Sequence, residues 1–130
     1  MRDKKLGTQE FITQLNKAQD LMSQEKYKEA IVLLEELKEI DKETDLNYNL
    51  THRLYHLYSN CQSLYNQKII LMHINEISKN STSLTLQKLN QILKDEFKIN
   101  LEEEILGREI ELLILRGLLS CRIEDNEIIF

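Results

Sequence analysis

The sequence predicts a mainly α protein in which helical hairpins of tetratricopeptide-like type lead into a winged helix with a small β-hairpin. Three observations predict this. The 130 residues include no proline and only three glycines, Gly7, Gly107 and Gly117, so few positions favour a sharp break or a left-handed turn. Apolar residues recur at three- and four-residue spacing along most of the chain. The closing stretch "ILRGLLSCRIEDNEIIF" at 114–130 passes Gly117, alternates briefly, turns at "EDN" and returns as "EIIF", the pattern of a helix feeding a hairpin.

Phe11, Ile12, Leu15, Ala18 and Met22 lie at helical spacing, as do Tyr27, Ala30, Ile31, Leu34 and Leu37 beyond the polar "SQEK". Two amphipathic helices in a hairpin follow, with Ala30 small enough for a close crossing. After the polar "DKETD" at 41–45, Leu50, Leu54, Leu57, Cys61 and Leu64 mark a third helix, and Ile70, Ile74 and Ile77 a fourth. The first eighty residues therefore read as two stacked hairpins. Tyr48, Tyr55, Tyr58 and Tyr65 border the apolar face of the third helix, where tyrosines serve either a core edge or a partner surface.

The polar "SKNSTS" at 78–83 is the clearest boundary, dividing a helical-repeat lobe at 1–80 from a winged-helix lobe at 81–130. Thr85 is placed to cap a helix carrying Leu86, Leu89, Leu93 and Phe97. "KIN" at 98–100 makes a short link, and Asn100 with Glu103 resembles a capping box for a further helix from about Leu101 to Arg116. Leu101, Ile105, Leu112 and Leu113 are expected on its buried face. Gly117 fits its C-terminal cap, and Asp125 and Asn126 suit the tight turn of the hairpin.

Hydrophobic residues at 42% and charged residues at 30% are a globular balance, so a folded, soluble domain is expected. Cys61 and Cys121 match neither a zinc-ligand spacing nor a disulfide framework and read as reduced packing residues. The N-terminus lacks the apolar region of a secretory signal, and no apolar run approaches membrane-spanning length. A cytoplasmic or nuclear location is expected.

Charge argues against nucleic acid. Between Leu101 and Phe130 eight acidic residues face three arginines, Arg108, Arg116 and Arg122, a net of −5 equal to that of the whole chain. Such a surface repels phosphates. The acidic start at Glu102, Glu103 and Glu104 suits a helix N-terminus. His52 and His56 are one turn apart and could hold one face of a metal, but a zinc-protease motif needs glutamate where Arg53 stands. No phosphate loop or nucleophile motif occurs. The expectation is no enzyme, no cofactor and no metal, with neither nucleic acid, membrane nor small-molecule substrate as partner.

The C-terminal half, "SLTLQKLNQIL", "INLEEEI" and "ELLILRGLLSCRIEDNEIIF", resembles the PCI-domain family of the proteasome lid, the signalosome and translation initiation factor three. The matching elements are Thr85-Leu86, Asn100 to Glu104, Leu113-Ile114, Gly117-Leu118-Leu119 and Arg122-Ile123-Glu124. The front half, "KYKEAIVLLEELKEIDKETD" and "THRLYHLYSN", is similar to the helical repeats of lid and signalosome members. The chain departs from the family in Gly107 where a glutamate is common, in the longer "KDEF" connection, and in ending at Phe130 without the family's long C-terminal helix. A reduced or truncated member is therefore expected.

The resemblance implies a non-catalytic scaffold subunit of a large eukaryotic complex, assembling through the winged-helix sheet and the helical lobe. The interface expected is an edge strand at 127–130, with Arg122, Glu127, Ile128, Ile129 and Phe130, together with Tyr48 and Tyr55. The rivals are a winged-helix transcription regulator and a free-standing helical adaptor.

Overall fold

A computed structural model describes residues 7–43 and 47–130. Its elements run α1 (Thr8–Ser23), α2 (Tyr27–Glu43), α3 (Tyr48–Ile77), β1 (Ser83–Thr85), α4 (Leu86–Phe97), α5 (Glu103–Leu115), β2 (Arg122–Glu124) and β3 (Glu127–Ile129). It is mainly helical with one small antiparallel sheet. The chain falls into two compact units, Met1–Tyr65 and Asn66–Phe130, so the division lies inside α3. It precedes the polar stretch at 78–83, and the last turns of α3 belong to the second unit.

The first unit holds the predicted hairpin. Phe11, Leu15 and Ala18 of α1 and Ala30, Leu34 and Leu37 of α2 are buried in one core with Leu50, Leu54 and Cys61 of α3. Each fully buried leucine there stabilises the fold by about 1.5–3 kcal/mol. Between α1 and α2 the chain reverses through Glu25, whose φ of 62° is left-handed. The Glu25 N–H donates to Met22 O at 2.9 Å and the Lys26 N–H to Leu21 O at 2.9 Å, the two bonds of a Schellman cap. Asn47 begins α3, its Oδ1 accepting from Leu50 N at 2.9 Å. Arg53 of α3 donates to Asn16 Oδ1 and Gln19 Oε1 of α1 at 2.8 and 2.9 Å. The polar link expected at 41–45 lies partly outside the described residues.

The expected third and fourth helices are one helix. α3 crosses 65–69 without a break, because "YNQKI" contains neither glycine nor proline to end it. Its buried positions form two sets, Leu50, Leu54 and Cys61, then Gln67, Ile69, Ile70 and Ile74. The two sets do not share one helical phase, and the phase change reads in the sequence as a new helix.

In the second unit Ile70, Ile74, Leu86, Leu89, Leu93, Leu106, Ile110, Leu113 and Ile128 are buried. Thr85 caps α4 as predicted, its Oγ1 accepting from Lys88 N at 3.1 Å. The Asn100 capping box is not formed. The N-cap of α5 is Glu102, with no side-chain cap bond, because Asn90 Nδ2 holds the link by donating to Leu101 O at 2.7 Å. The buried face of α5 also differs from expectation: Leu106, Gly107, Glu109, Ile110 and Leu113 point inward, while Leu101 and Ile105 are half-buried and Leu112 is exposed. "EILGREIELLIL" is apolar around most of its circumference, so periodicity alone could not choose the stripe. α5 ends as predicted at Gly117, φ 76°, with Gly117 N donating to Ile114 O and Leu118 N to Leu113 O at 3.0 and 2.9 Å.

The hairpin is present, and its turn is Asp125-Asn126, with φ of 49° and 63°, a two-residue loop of type I′ character. It belongs to a three-stranded sheet of order β1-β3-β2. β1, "SLT", was hidden in the polar boundary. Ser83, Leu84 and Thr85 lie opposite Ile129, Ile128 and Glu127, and Arg122, Ile123 and Glu124 lie opposite the same three residues on the other side. The expected edge strand at 127–130 is therefore corrected: β3 is central. Ile128 is fully buried, and Phe130 N continues the pairing by donating to Thr82 O at 3.0 Å.

Candidate partner-binding groove

A groove of about 600 Å³ opens in the second unit between the first turns of α5 and the hairpin. Its base is apolar: Leu86 and Gly107 are buried and Ile123 is half-buried. A Cβ added at Gly107 would meet Leu86 Cδ1 at 3.6 Å, an ordinary van der Waals contact, so the floor of the groove has room for a methyl group there. The rim is acidic. Glu102, Glu103, Glu104 and Glu111 line it against one guanidinium, Arg108, and all five are exposed. The three successive glutamates stand where the helix dipole favours negative charge, and Glu104, Arg108 and Glu111 recur on one face of α5. Among the described residues none of the four carboxylates is held in an ion pair or side-chain hydrogen bond.

Beside this groove runs the outer edge of β2. In a two-residue hairpin the closing pair, here Glu124 and Glu127, exchanges both hydrogen bonds, and bonded and non-bonded pairs then alternate. Ile123 and Ile128 form the next, non-bonded pair, so the Ile123 N–H and C=O point away from β3 toward the edge. On the other side Ile128 pairs with Leu84, leaving no backbone group of Ile128 unused. No backbone hydrogen bond from the described residues reaches the outer edge of β2. The Ile123 side chain lines the groove, while Arg122 and Glu124 project from the opposite face, where Arg122 Nε donates to Glu124 Oε2.

The residues expected at an interface are thus dispersed. Arg122 is exposed on the edge strand, Glu127, Ile129 and Phe130 are half-buried, and Ile128 belongs to the core. Tyr48 and Tyr55 lie in the first unit, 78% and 40% exposed. Sequence reasoning singled out neither Ile123 as a groove residue nor the glutamates as its rim. The signal available was the alternation Ser83-Leu84-Thr85, which supplies a third strand and moves the edge from β3 to β2.

The α3 surface of the first unit carries a row of rings. Tyr48 stacks on His52 with centroids 5.9 Å apart, and His56 meets His52 edge-on at 5.3 Å. Lys38 Nζ lies 3.9 Å from the Tyr58 ring centroid and 5.3 Å from that of Tyr55, within cation–π range. The Tyr58 hydroxyl donates to Glu35 Oε2 at 3.2 Å. Burial first, then that hydrogen bond and the carboxylate charge, raise its pKa. Among the described residues no three His, Cys, Asp or Glu side chains are grouped to hold a metal, and no helix is long and apolar enough to cross a membrane.

Comparison with known proteins adds no relative: no family model, no curated protein and no solved structure matches the chain.

Proposed function

We propose that this chain is a non-catalytic assembly subunit of PCI type, joining neighbours in a large eukaryotic complex. The proteasome lid is the first candidate, with the signalosome and translation initiation factor three as alternatives. The observation that carries this reading is the order of the second unit. Helix, strand, helix, helix and hairpin, with the strands arranged β1-β3-β2, supports a winged-helix reading of this unit, and a helical hairpin precedes it in the chain. The acidic rim of α5 favours a protein partner over nucleic acid. Exposed apolar side chains on and after α5, Leu112, Leu115 and Leu118, suit the same role.

Lateral pairing of winged-helix sheets, which the PCI resemblance implies, is assigned here to the outer edge of β2, because β3 is paired on both sides. The test is affinity purification of the tagged protein from its native cells at moderate salt, with mass spectrometry and particle sizing. Stoichiometric recovery of lid, signalosome or initiation-factor subunits is the expected result. A lone small species would overturn the scaffold reading in favour of a free-standing adaptor.

A further inference from the structure

We propose that the outer edge of β2 and the acidic groove beside it form one docking site for an extended, lysine- or arginine-bearing segment of a partner protein, added antiparallel to β2. This deepens the scaffold reading and rests on it for the partner being a protein. Two independent features converge on Ile123. Its backbone N–H and C=O face the unpaired edge, and its side chain lines a groove whose rim holds four carboxylates and one guanidinium. A strand added to that edge gains main-chain hydrogen bonds, while every second side chain falls on the groove face.

The register selects the chemistry. The residue opposite Ile123 forms a hydrogen-bonded pair with it, and directly opposed side chains share a face of the sheet. That residue's side chain therefore enters the groove, with a methylene stem over Leu86, Gly107 and Ile123 and a cationic head among the glutamates. Lysine and arginine fit that description, and an acidic or purely apolar segment does not. The other face of β2 carries the Arg122–Glu124 ion pair, a charged face of the kind that discourages indiscriminate edge pairing. Specificity then comes from the groove side.

The probe is a fluorescein-labelled octapeptide of alternating lysine and valine, titrated with the full chain at low salt, beside an alternating glutamate and valine control. Binding of the basic peptide alone is expected, weakening as salt screens the rim. Replacing Glu104→Gln and Glu111→Gln together is expected to weaken it at least tenfold. Ile123→Pro removes the outward N–H, which an edge strand tolerates, and is expected to weaken binding at least tenfold with unchanged helical circular dichroism. A second measurement leaves the protein intact: N-methylating the lysines of the peptide abolishes binding, whereas N-methylating the valines does not, because only the lysine N–H groups face Ile123.

Equal loss from both methylations, or none from either, overturns the pairing. Unchanged binding in the double glutamine variant, or equally tight binding of the acidic control, overturns the groove. If the chain co-purifies with a large complex but fails these peptide tests, this site is wrong and the scaffold reading stands. If it binds the peptide yet purifies alone, the scaffold reading fails and the site survives.

Discussion

Gln67 donates from Nε2 to Glu109 Oε1 at 3.2 Å, and these two buried polar side chains are 6% and 4% exposed. Arg116 Nη1 donates in turn to Gln67 Oε1 at 2.5 Å, so one amide links an arginine to a buried carboxylate. Gln67 sits on α3 and Glu109 and Arg116 on and just beyond α5, which places this chain of bonds inside the second unit.

Removing the amide takes one hydrogen bond from each neighbour. Gln67→Leu is expected to destabilise the protein by about 1–3 kcal/mol, the cost of a buried polar group losing its hydrogen bond. Glu109→Leu breaks the same bond from the other side, so each single change already includes its loss. The double variant should therefore fall short of additivity by about 1 kcal/mol or more. Urea unfolding of the four proteins measures this, and strict additivity would show that the Gln67–Glu109 bond contributes nothing.

The two Schellman caps use different residues for the same backbone conformation. Gly117 occupies its left-handed position without a Cβ penalty, whereas Glu25 holds φ 62° with one. Glu25→Gly is expected to stabilise the protein by about 0.5–1 kcal/mol, and Gly117→Ala to destabilise it by about 1 kcal/mol. Opposite shifts in thermal midpoint would verify both, and a lower midpoint for Glu25→Gly would contradict the strain at that cap.

Burial pushes the Cys61 thiol up from 9.0 to about 11, and its Sγ donates to Tyr27 O at 3.6 Å. Between those two values the unfolded chain has lost a proton that the folded chain keeps. Unfolded protein then binds fewer protons, so stability falls as pH rises from 9 and levels off near 11. The thiol's share is on the order of 2 kcal/mol, read as the difference in pH slope between the native protein and Cys61→Ala. At pH 8, Ellman's reagent is expected to label half-buried Cys121 first, and Cys61 only as the protein unfolds. Labelling of Cys61 as fast as Cys121 would contradict its burial.

What could be read from the sequence divides along physical lines. Local rules carried well: Thr85 caps α4, Gly117 closes α5, Asp125-Asn126 makes the turn, and the Phe11 to Leu37 periodicity gives the first hairpin. Each depends on a few adjacent residues. The misreadings are cases where distant partners decide. The buried phase of α3 changes between Cys61 and Gln67, and α5 is apolar around too much of its surface to reveal its inner face. β1 is three residues long and acquires meaning only by pairing with β3, which lies more than forty positions later. The candidate groove was legible only as an acidic helix start, since its other half comes from Ile123 on that same sheet.

Centrality of β3 changes what a proline at Ile128 would do. Were 127–130 an edge, proline there would spare the helices. Ile128 instead lies between Leu84 and Ile123, is fully buried, and pairs through its N–H with β1. Ile128→Pro removes that bond, leaves Leu84 O without its partner and deletes core volume, for an expected loss of about 3 kcal/mol or more. Ile123→Pro, opposite it on the outer strand, is expected to cost less than about 1 kcal/mol beyond its lost side chain. Chemical denaturation of the two variants side by side reads the sheet order directly: comparable losses, or a larger loss at Ile123, would mean that β3 is not the central strand.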